Sequence, residues 1–506
     1  MTTEVSREYA EARTVAGTVR GRWQHGLAIF RGIPFAAPPV GEARFAAPRP
    51  VSRWEGEREA FTAGSAAPQD FAGFREQGDA LPPQSVGSDW LTLNVWTPAP
   101  DRAARRPVMV WIHGGAYKLG SSDPGVYDAH RIAREGDLVV VSCNYRLGVE
   151  GFAAIEGAPA NRGLLDQVAA LEWVQENIAA FGGDPGLVTV FGESAGAGSV
   201  GALLAMPSAA GLFRRAIAQS LGGPFFSLEL AADVAAAIAA QRGLRPTATD
   251  LSTVEPNDLA LTGEAAVTTQ REQVGRWGPL ADHPSLFGPV VDGEVLPVTP
   301  WQALAAGASR EVELIAGHNR DEYRLFLPGA IDEPAASRAL RICGPGPDGE
   351  KAYRAAFPDA SAEQLWEWVK SDWLFRMPTH RLAEAHAIGR GRAYLYELTW
   401  PAPSTAFPFG AFHGADLPLV FGDFTTGFGQ MLGGPEPSAE VLELSARFRA
   451  AWTSFAATGD PGWPAYDTER RLTQLFDAPS AVAAYPEETS RRLWEQHDFA
   501  PLPLLR

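Results

Sequence analysis

The run LVTVFGESAGAGSV, residues 187–200, restricts the fold more than any other part of the chain. Its first five residues are apolar or β-branched and read as a buried strand. From Ala195 onward, small residues lead into GALLAM, which reads as helix. The chain must turn from strand into helix around Ser194. Gly192 and Gly196 leave room for that turn and for close packing of helix on strand. G-x-S-x-G at such a bend lifts a serine hydroxyl above the sheet, beside the first N–H groups of a helix, where developing negative charge is stabilised. The bland alternative is a turn serine with no chemistry.

Five runs in all carry the sheet pattern: PVMVWIHGG, DLVVVSCNY, LVTVFG, VELIAGH and AYLYELTW. They are nearly continuous apolar runs, as strands covered on both faces require. Helical patterns lie between them. In GLLDQVAALEWVQENIAAFGG, Leu164, Val168, Leu171, Ile178 and Phe181 share a face, and Gly182-Gly183 is a stop. AADVAAAIAAQ is a second helix. Strand–helix alternation gives an α/β class with a mainly parallel sheet. Residues 61–88 and 401–410 are polar and rich in Pro or Gly, and read as long surface loops. No repeat or linker divides the chain. The expected organisation is one catalytic α/β domain over residues 1–506, with large insertions.

Charge removes several functions. Sixty acidic residues against 43 basic ones leave a formal charge of −17. That opposes binding to nucleic acid or to anionic lipid. The first residues, MTTEVSREYAEARTVAG, are polar and give no secretory pattern, and no apolar run approaches the ~18 residues of a span. Only Cys143 and Cys343 are present, and free thiols in a cytoplasmic setting are the simplest expectation. No histidine sits in H-E-x-x-H or in zinc spacing, and no dinucleotide or P-loop fingerprint occurs. No metal or organic cofactor is expected.

An attacking serine needs an oxyanion site and a base. VWIHGGAYKLGSS ends a strand with His113-Gly114-Gly115-Ala116, the H-G-G-x form of esterase oxyanion loops. The N–H groups of Gly115 and Ala116, with that of Ala195 beside the serine, are the candidate donors, and Gly114 adjoins them as a substrate contact. His113 is open as the base, but its place in the loop favours a structural role. From the residues alone, Asp321 and Glu322 are equal candidates for a supporting acid, and Asp416 is a third.

In chain order, FRGIPFAAPPVGEARFAAPRPVSRW, SDWLTLNVWTP, WIHGGAY, NYRLGVEGF, the long NRGLLDQ…FGESAGAGSV segment and AWTSFAATGDPGWPAYD resemble the type-B carboxylesterase family, the cholinesterase-like branch of the α/β-hydrolases. The resemblance covers nearly the whole chain. It implies an α/β-hydrolase fold: a large, mostly parallel sheet flanked by helices, with insertions around the site. It implies Ser194 as nucleophile, Glu322 in AGHNRDEYRLF as acid and His413 in FHGADLPLVFG as base, with Asp416 in support of the base. It implies a small-molecule ester as substrate. Amide or carbamate hydrolysis by the same triad, and a non-catalytic binding role, are the alternatives. Glu193 is a further candidate: it either holds water, steadies the protonated His413, or only bonds within the elbow. Tyr117, Phe225 and Phe226 are candidates for pocket lining, with packing as the competing reading. Two departures matter. Trp90 replaces the family's cysteine in SDWLTL, so the disulfide of secreted members cannot form there. Residues 61–88 hold no tryptophan, so a choline-binding residue is not identifiable.

Overall fold

Alternation along each strand explains why the apolar runs are continuous. In β6 (Arg106–Ile112), Val108, Val110 and Ile112 feed one core, whereas Met109 and Trp111 feed the other. The same split recurs in β8 (Gly183–Glu193), where Val188 and Val190 face opposite to Phe191. A sheet with a core on each face needs apolar residues at every position.

The computed structural model describes residues 8–70, 87–122, 127–403, 409–425, 427–434 and 436–505. Of the two expected loops, residues 71–86 and 404–408 lie outside the described residues, and the described flanks carry neither helix nor extended strand.

Thirteen strands of the described residues join one sheet. In chain order they are β1 (Tyr9–Arg13), β2 (Thr18–Gln24), β3 (Leu27–Pro34), β4 (Glu57–Glu59), β5 (Thr92–Thr97), β6, β7 (Val139–Cys143), β8, β9 (Arg215–Gln219), β12 (Glu313–Asn319), β13 (Ala393–Leu398), β14 (Leu472–Phe476) and β15 (Ala481–Ala484), with the separate pair β10 (Phe226–Ser227) and β11 (Val290–Val291) in between. The order across the sheet is β1-β2-β3-β5-β7-β6-β8-β9-β12-β13-β14-β15, with β4 beside β2. From β7 to β14 every neighbour is parallel. The flanking pairs β1–β2, β2–β3, β3–β5, β5–β7 and β14–β15 are antiparallel, so the sheet is mixed at its margins.

All five apolar runs lie in the parallel part. Two strands of that part are absent from that reading: β9, whose RAIAQ is short and begins and ends on polar residues, and β14, the half-buried LTQLF. The expected helix forms over Arg162–Asn177 and continues as a 3₁₀ turn over Ile178–Phe181. Gly182 ends it in the left-handed region at φ 85°, and Gly183 already begins β8. Cys143 and Cys343 are both unpaired and buried. No described helix is long and apolar enough to cross a membrane.

Because β6, β8, β9 and β12 run parallel, the loops after them open at one edge. Those loops begin at His113, Ser194, Ser220 and Arg320. Open α/β sheets collect their ligand sites at that edge.

Candidate active site

Ser194 follows β8 directly and precedes the helix Ala195–Ala205. Its backbone sits at φ 56°, ψ −122°. A non-glycine residue there is strained by ~1–3 kcal/mol and needs surrounding structure to hold it. That support is visible. The Ser194 N–H donates to the Gln219 carbonyl at the end of β9 (2.9 Å), and its carbonyl accepts from Gly198 N–H (2.9 Å). A Cβ on Gly192 would lie 2.6 Å from the Gly196 carbonyl carbon, and one on Gly196 would collide with the Ile112 carbonyl oxygen. Both glycines are thus required by close approach of helix, β8 and β6. Gly196→Ala is expected to lower stability by about 1–3 kcal/mol through overpacking against main chain. Thermal unfolding should record a fall in Tm, together with a loss of activity as the elbow shifts.

His413 reaches Ser194 from a distant loop. His413 Nε2 lies 2.9 Å from Ser194 Oγ, and Nδ1 lies 2.6 Å from Glu322 Oε2. Glu322 is fully buried. Its other oxygen accepts from Ser220 Oγ (2.6 Å) and from Asn319 N–H (2.8 Å). Four lone-pair sites of a buried carboxylate are thereby largely used, and its orientation is set. Asp321 turns elsewhere. It pairs with Arg324 at 2.7 Å and accepts from Ala411 N–H at 2.8 Å, which anchors the loop that carries His413.

Glu193 places Oε1 3.2 Å from His413 Nε2 and is almost fully buried. Burial pushes the Glu193 carboxyl upward, His413 opposes this, and Asp416 and Glu322 add to it. For His413, burial alone would push downward, but Glu193 and Glu322 outweigh it and hold the ring above the ordinary histidine value. The two groups are linked, since a protonated Glu193 no longer draws a proton to the ring. Glu193 rises because it is dry, and His413 rises because Glu193 and Glu322 both face it. Asp416 lies behind this pair. It accepts from Gln219 Nε2 and Tyr396 Oη, each at 2.8 Å, and burial raises its pKa. Gln219 is held in turn by Trp452 Nε1 at 3.0 Å.

The loop after β6 supplies main-chain donors. Gly115, Ala116 and Tyr117 have φ of 107°, 53° and 59°. The Gly115 carbonyl accepts from Lys118 and Leu119 N–H, which closes the loop on itself. Gln69, from the described part of the first polar stretch, bonds both the N–H and the carbonyl of Gly120 at 2.8 Å. No described residue accepts from the N–H of Gly115, Ala116 or Ala195. Gly114 abuts the elbow: a Cβ there would lie 3.2 Å from that of Ser194. His113 is turned away, with Nδ1 2.8 Å from the Gly114 carbonyl and its ring stacked 4.4 Å from Tyr145. Burial pushes its pKa down to about 4, so it is a neutral packing residue.

The three aromatic candidates are all buried. Tyr117 packs 4.7 Å from Phe152 and its hydroxyl abuts Gly198. Phe225 meets Trp301 edge-on at 5.4 Å, and Phe226 lies on Gly288. Their contacts are with the packing beneath the site. The rings that touch the imidazole are others: Phe375 stacks on His413 at 4.1 Å, and Phe326 lies 5.6 Å away. Phe326 closes the AGHNRDEYRLF segment, whereas Phe375 stands in no motif, and WLFRM reads as ordinary helix core. Ser220 was equally invisible, because only the fold brings it to Glu322. Among the described residues, no group of three or more His, Cys, Asp or Glu side chains is placed to hold a metal ion.

A hydroxyl 2.9 Å from an imidazole, which is itself bonded to a buried carboxylate, is an arrangement that can deliver an alkoxide-like nucleophile to a carbonyl. Comparison with known proteins agrees. A model described as the carboxylesterase family matches residues 8–342 and 350–494. Para-nitrobenzyl esterase of Bacillus subtilis is 37% identical over 493 residues, covering 95% of this chain and 97% of that protein. Phenmedipham hydrolase of Pseudarthrobacter oxydans is 36% identical, over 90% and 92% of the two chains. Among solved structures, a PNB esterase superposes with a TM-score of 0.84 at 36% identity, covering 96% of this chain and 99% of that one. A carboxylesterase of Geobacillus stearothermophilus gives 0.82 at 36% identity, over 96% and 100%. The architecture is the α/β-hydrolase fold.

Proposed function

The chain belongs to the carboxylesterase family, and from that premise we propose that it hydrolyses carboxylic esters through an acyl-enzyme on Ser194, with His413 as base and Glu322 as its orienting acid. The observation that carries this reading is the alignment of Ser194 Oγ, the His413 ring and the Glu322 carboxylate at 2.9 and 2.6 Å. As Oγ attacks the ester carbonyl, His413 Nε2 takes its proton. The N–H groups of Gly115, Ala116 and Ala195 receive the oxyanion, and loss of one such donor typically raises the barrier by about 3–4 kcal/mol. Glu322 holds the Nδ1–H tautomer and stabilises the imidazolium. The intermediate collapses as His413 protonates the departing alkoxide. Water then enters, His413 takes its proton, and the acid leaves. The substrate is a small-molecule ester, and the whole chain acts as one catalytic unit, because its parts come from residues near 115, 194, 322 and 413. Two buried, unpaired cysteines fit a reducing, cytoplasmic setting.

The acyl-enzyme is testable directly. Mixing the protein with excess p-nitrophenyl acetate should release a burst of nitrophenol equal to the enzyme present. Quenched protein should gain one acetyl group on the peptide that contains Ser194. Steady release without a burst, together with an acetyl group on any other residue, would refute the assignment.

Acid pH should silence the enzyme, because the base must be unprotonated. Glu193 stabilises the imidazolium, so Glu193→Gln is expected to move the acid limb of the kcat/KM profile to lower pH. The sign follows from charge: removing an anion 3.2 Å from Nε2 makes protonation harder. A pH–rate series on both proteins measures it. An unmoved acid limb would show that Glu193 is neutral throughout.

A further inference from the structure

The helix that crosses behind His413 is not regular. Ala362–Ser371 is α-helical, Asp372–Arg376 is a π-helical turn, and Met377–Ile388 resumes the α form. A π turn widens the helix by one residue and releases a carbonyl from the i→i−4 ladder. That widening has consequences at three points of the site. The Leu374 carbonyl accepts from Gly223 N–H at 2.7 Å, which ties the turn to the loop bearing Ser220. Arg376 bonds Asp372 and donates to the Arg320 carbonyl at 3.1 Å, which ties it to the loop bearing Glu322. Between these anchors Phe375 lays its ring on His413, at 4.1 Å between centroids and 26° between planes.

The surroundings leave the turn little freedom. Gly223 is pressed against it: a Cβ there would lie 3.1 Å from the Trp373 carbonyl and would collide with Pro378. Phe375 is almost fully buried, and so are Arg376 and Asp372. The charged groups around the imidazole come from other elements: Glu193 at the end of β8, Glu322 after β12 and Asp416 on its own helix. None of them restrains rotation of the ring out of its plane. A flat apolar face against the ring does.

We propose that Phe375 is the positioning residue of this site, and that the π turn exists to seat it on His413 while clamping the loops of Ser220 and Glu322. The role rests on His413 being the base proposed above. The stack holds the imidazole on the line from Ser194 to Glu322 and keeps water from one face. It also favours the imidazolium that forms when Ser194 is attacked, because a ring face attracts a cation.

The test uses Phe375→Leu and Phe375→Tyr in the intact protein, each normalised by burst titration with p-nitrophenyl acetate. For Phe375→Leu, kcat per titrated site should fall about tenfold or more, since a small misplacement of a catalytic group is costly. KM should stay within about threefold, and the acid limb of kcat/KM should move to lower pH. Phe375→Tyr keeps the ring and should restore most of kcat. An unchanged kcat per titrated site with an unmoved acid limb would overturn the role, even where the burst itself is smaller, because that result describes a folding defect. A raised KM with kcat intact would also overturn it and make Phe375 a pocket wall. A wild-type protein with no burst and with an acetyl group on a residue other than Ser194 would instead defeat the acyl-enzyme reading on which the role depends.

Discussion

Ser194→Ala should lose on the order of a million-fold in kcat toward p-nitrophenyl esters while folding normally. His413→Ala should lose about as much, and the double mutant should lose little more, because nucleophile and base act as a unit. The folding half of the expectation follows from local structure. The Ser194 side chain caps no helix N–H, so its oxygen contributes nothing to the helix behind it. Its one side-chain hydrogen bond is to His413. The unusual backbone at φ 56° is imposed by Gly192, Gly196 and the Gln219 carbonyl, all of which remain in the mutant. Alanine is compatible with that turn at a cost similar to serine, so Tm should change little. Burst kinetics and thermal unfolding on the same samples separate lost chemistry from lost structure. Equal slow hydrolysis by wild type and mutant would remove Ser194 from the reaction.

The elbow was legible because its chemistry and its geometry demand the same residues. A strand, a strained serine and a close-packed helix cannot be built without small residues at 192 and 196, so the pattern survives in one dimension. The loop after β6 is legible for the same reason: positive φ at Gly115 and a turn that closes on its own carbonyl leave a local trace. Asp321 and Glu322 show where such reading stops. They are adjacent acids after one strand, and only the turn they enter decides which faces His413. Glu322 begins a 3₁₀ turn and points inward, whereas Asp321 precedes it and points at Arg324 and the 411 loop. The family resemblance pointed to Glu322, and the residues alone did not. Ser220, Gln219 and Phe375 lie further beyond reach. Each is one polar or aromatic residue in an unremarkable segment, and each matters through contacts across 102, 197 or more than 30 positions of chain. Tyr117, Phe225 and Phe226 were placed by their position after site segments, and their rings meet Phe152 and Gly198, Trp301, and Gly288.

The two neighbouring acids should respond very differently to removal of charge. Glu322→Gln is expected to lower kcat about ten-thousandfold, the size of effect seen when the acid of such a triad is made an amide. The amide has nearly the same shape, and its oxygen can still accept from Ser220 Oγ and Asn319 N–H. What changes is the partner of His413. Nδ1 now faces either an amide nitrogen, which demands the wrong tautomer, or a neutral oxygen, which no longer stabilises the imidazolium. The pH profile carries a second signature. With one buried anion gone, the protonated ring is less favoured, and the acid limb of kcat/KM should move to lower pH even as the plateau collapses. Asp321→Asn removes a charge one residue away, but that charge is paired with Arg324 and bonded to Ala411 N–H. Its loss should loosen the loop that presents His413, lowering Tm and costing activity modestly, with the acid limb nearly in place. Side-by-side pH–rate profiles of the two variants decide the matter: a larger fall in kcat for Asp321→Asn than for Glu322→Gln would exchange their roles.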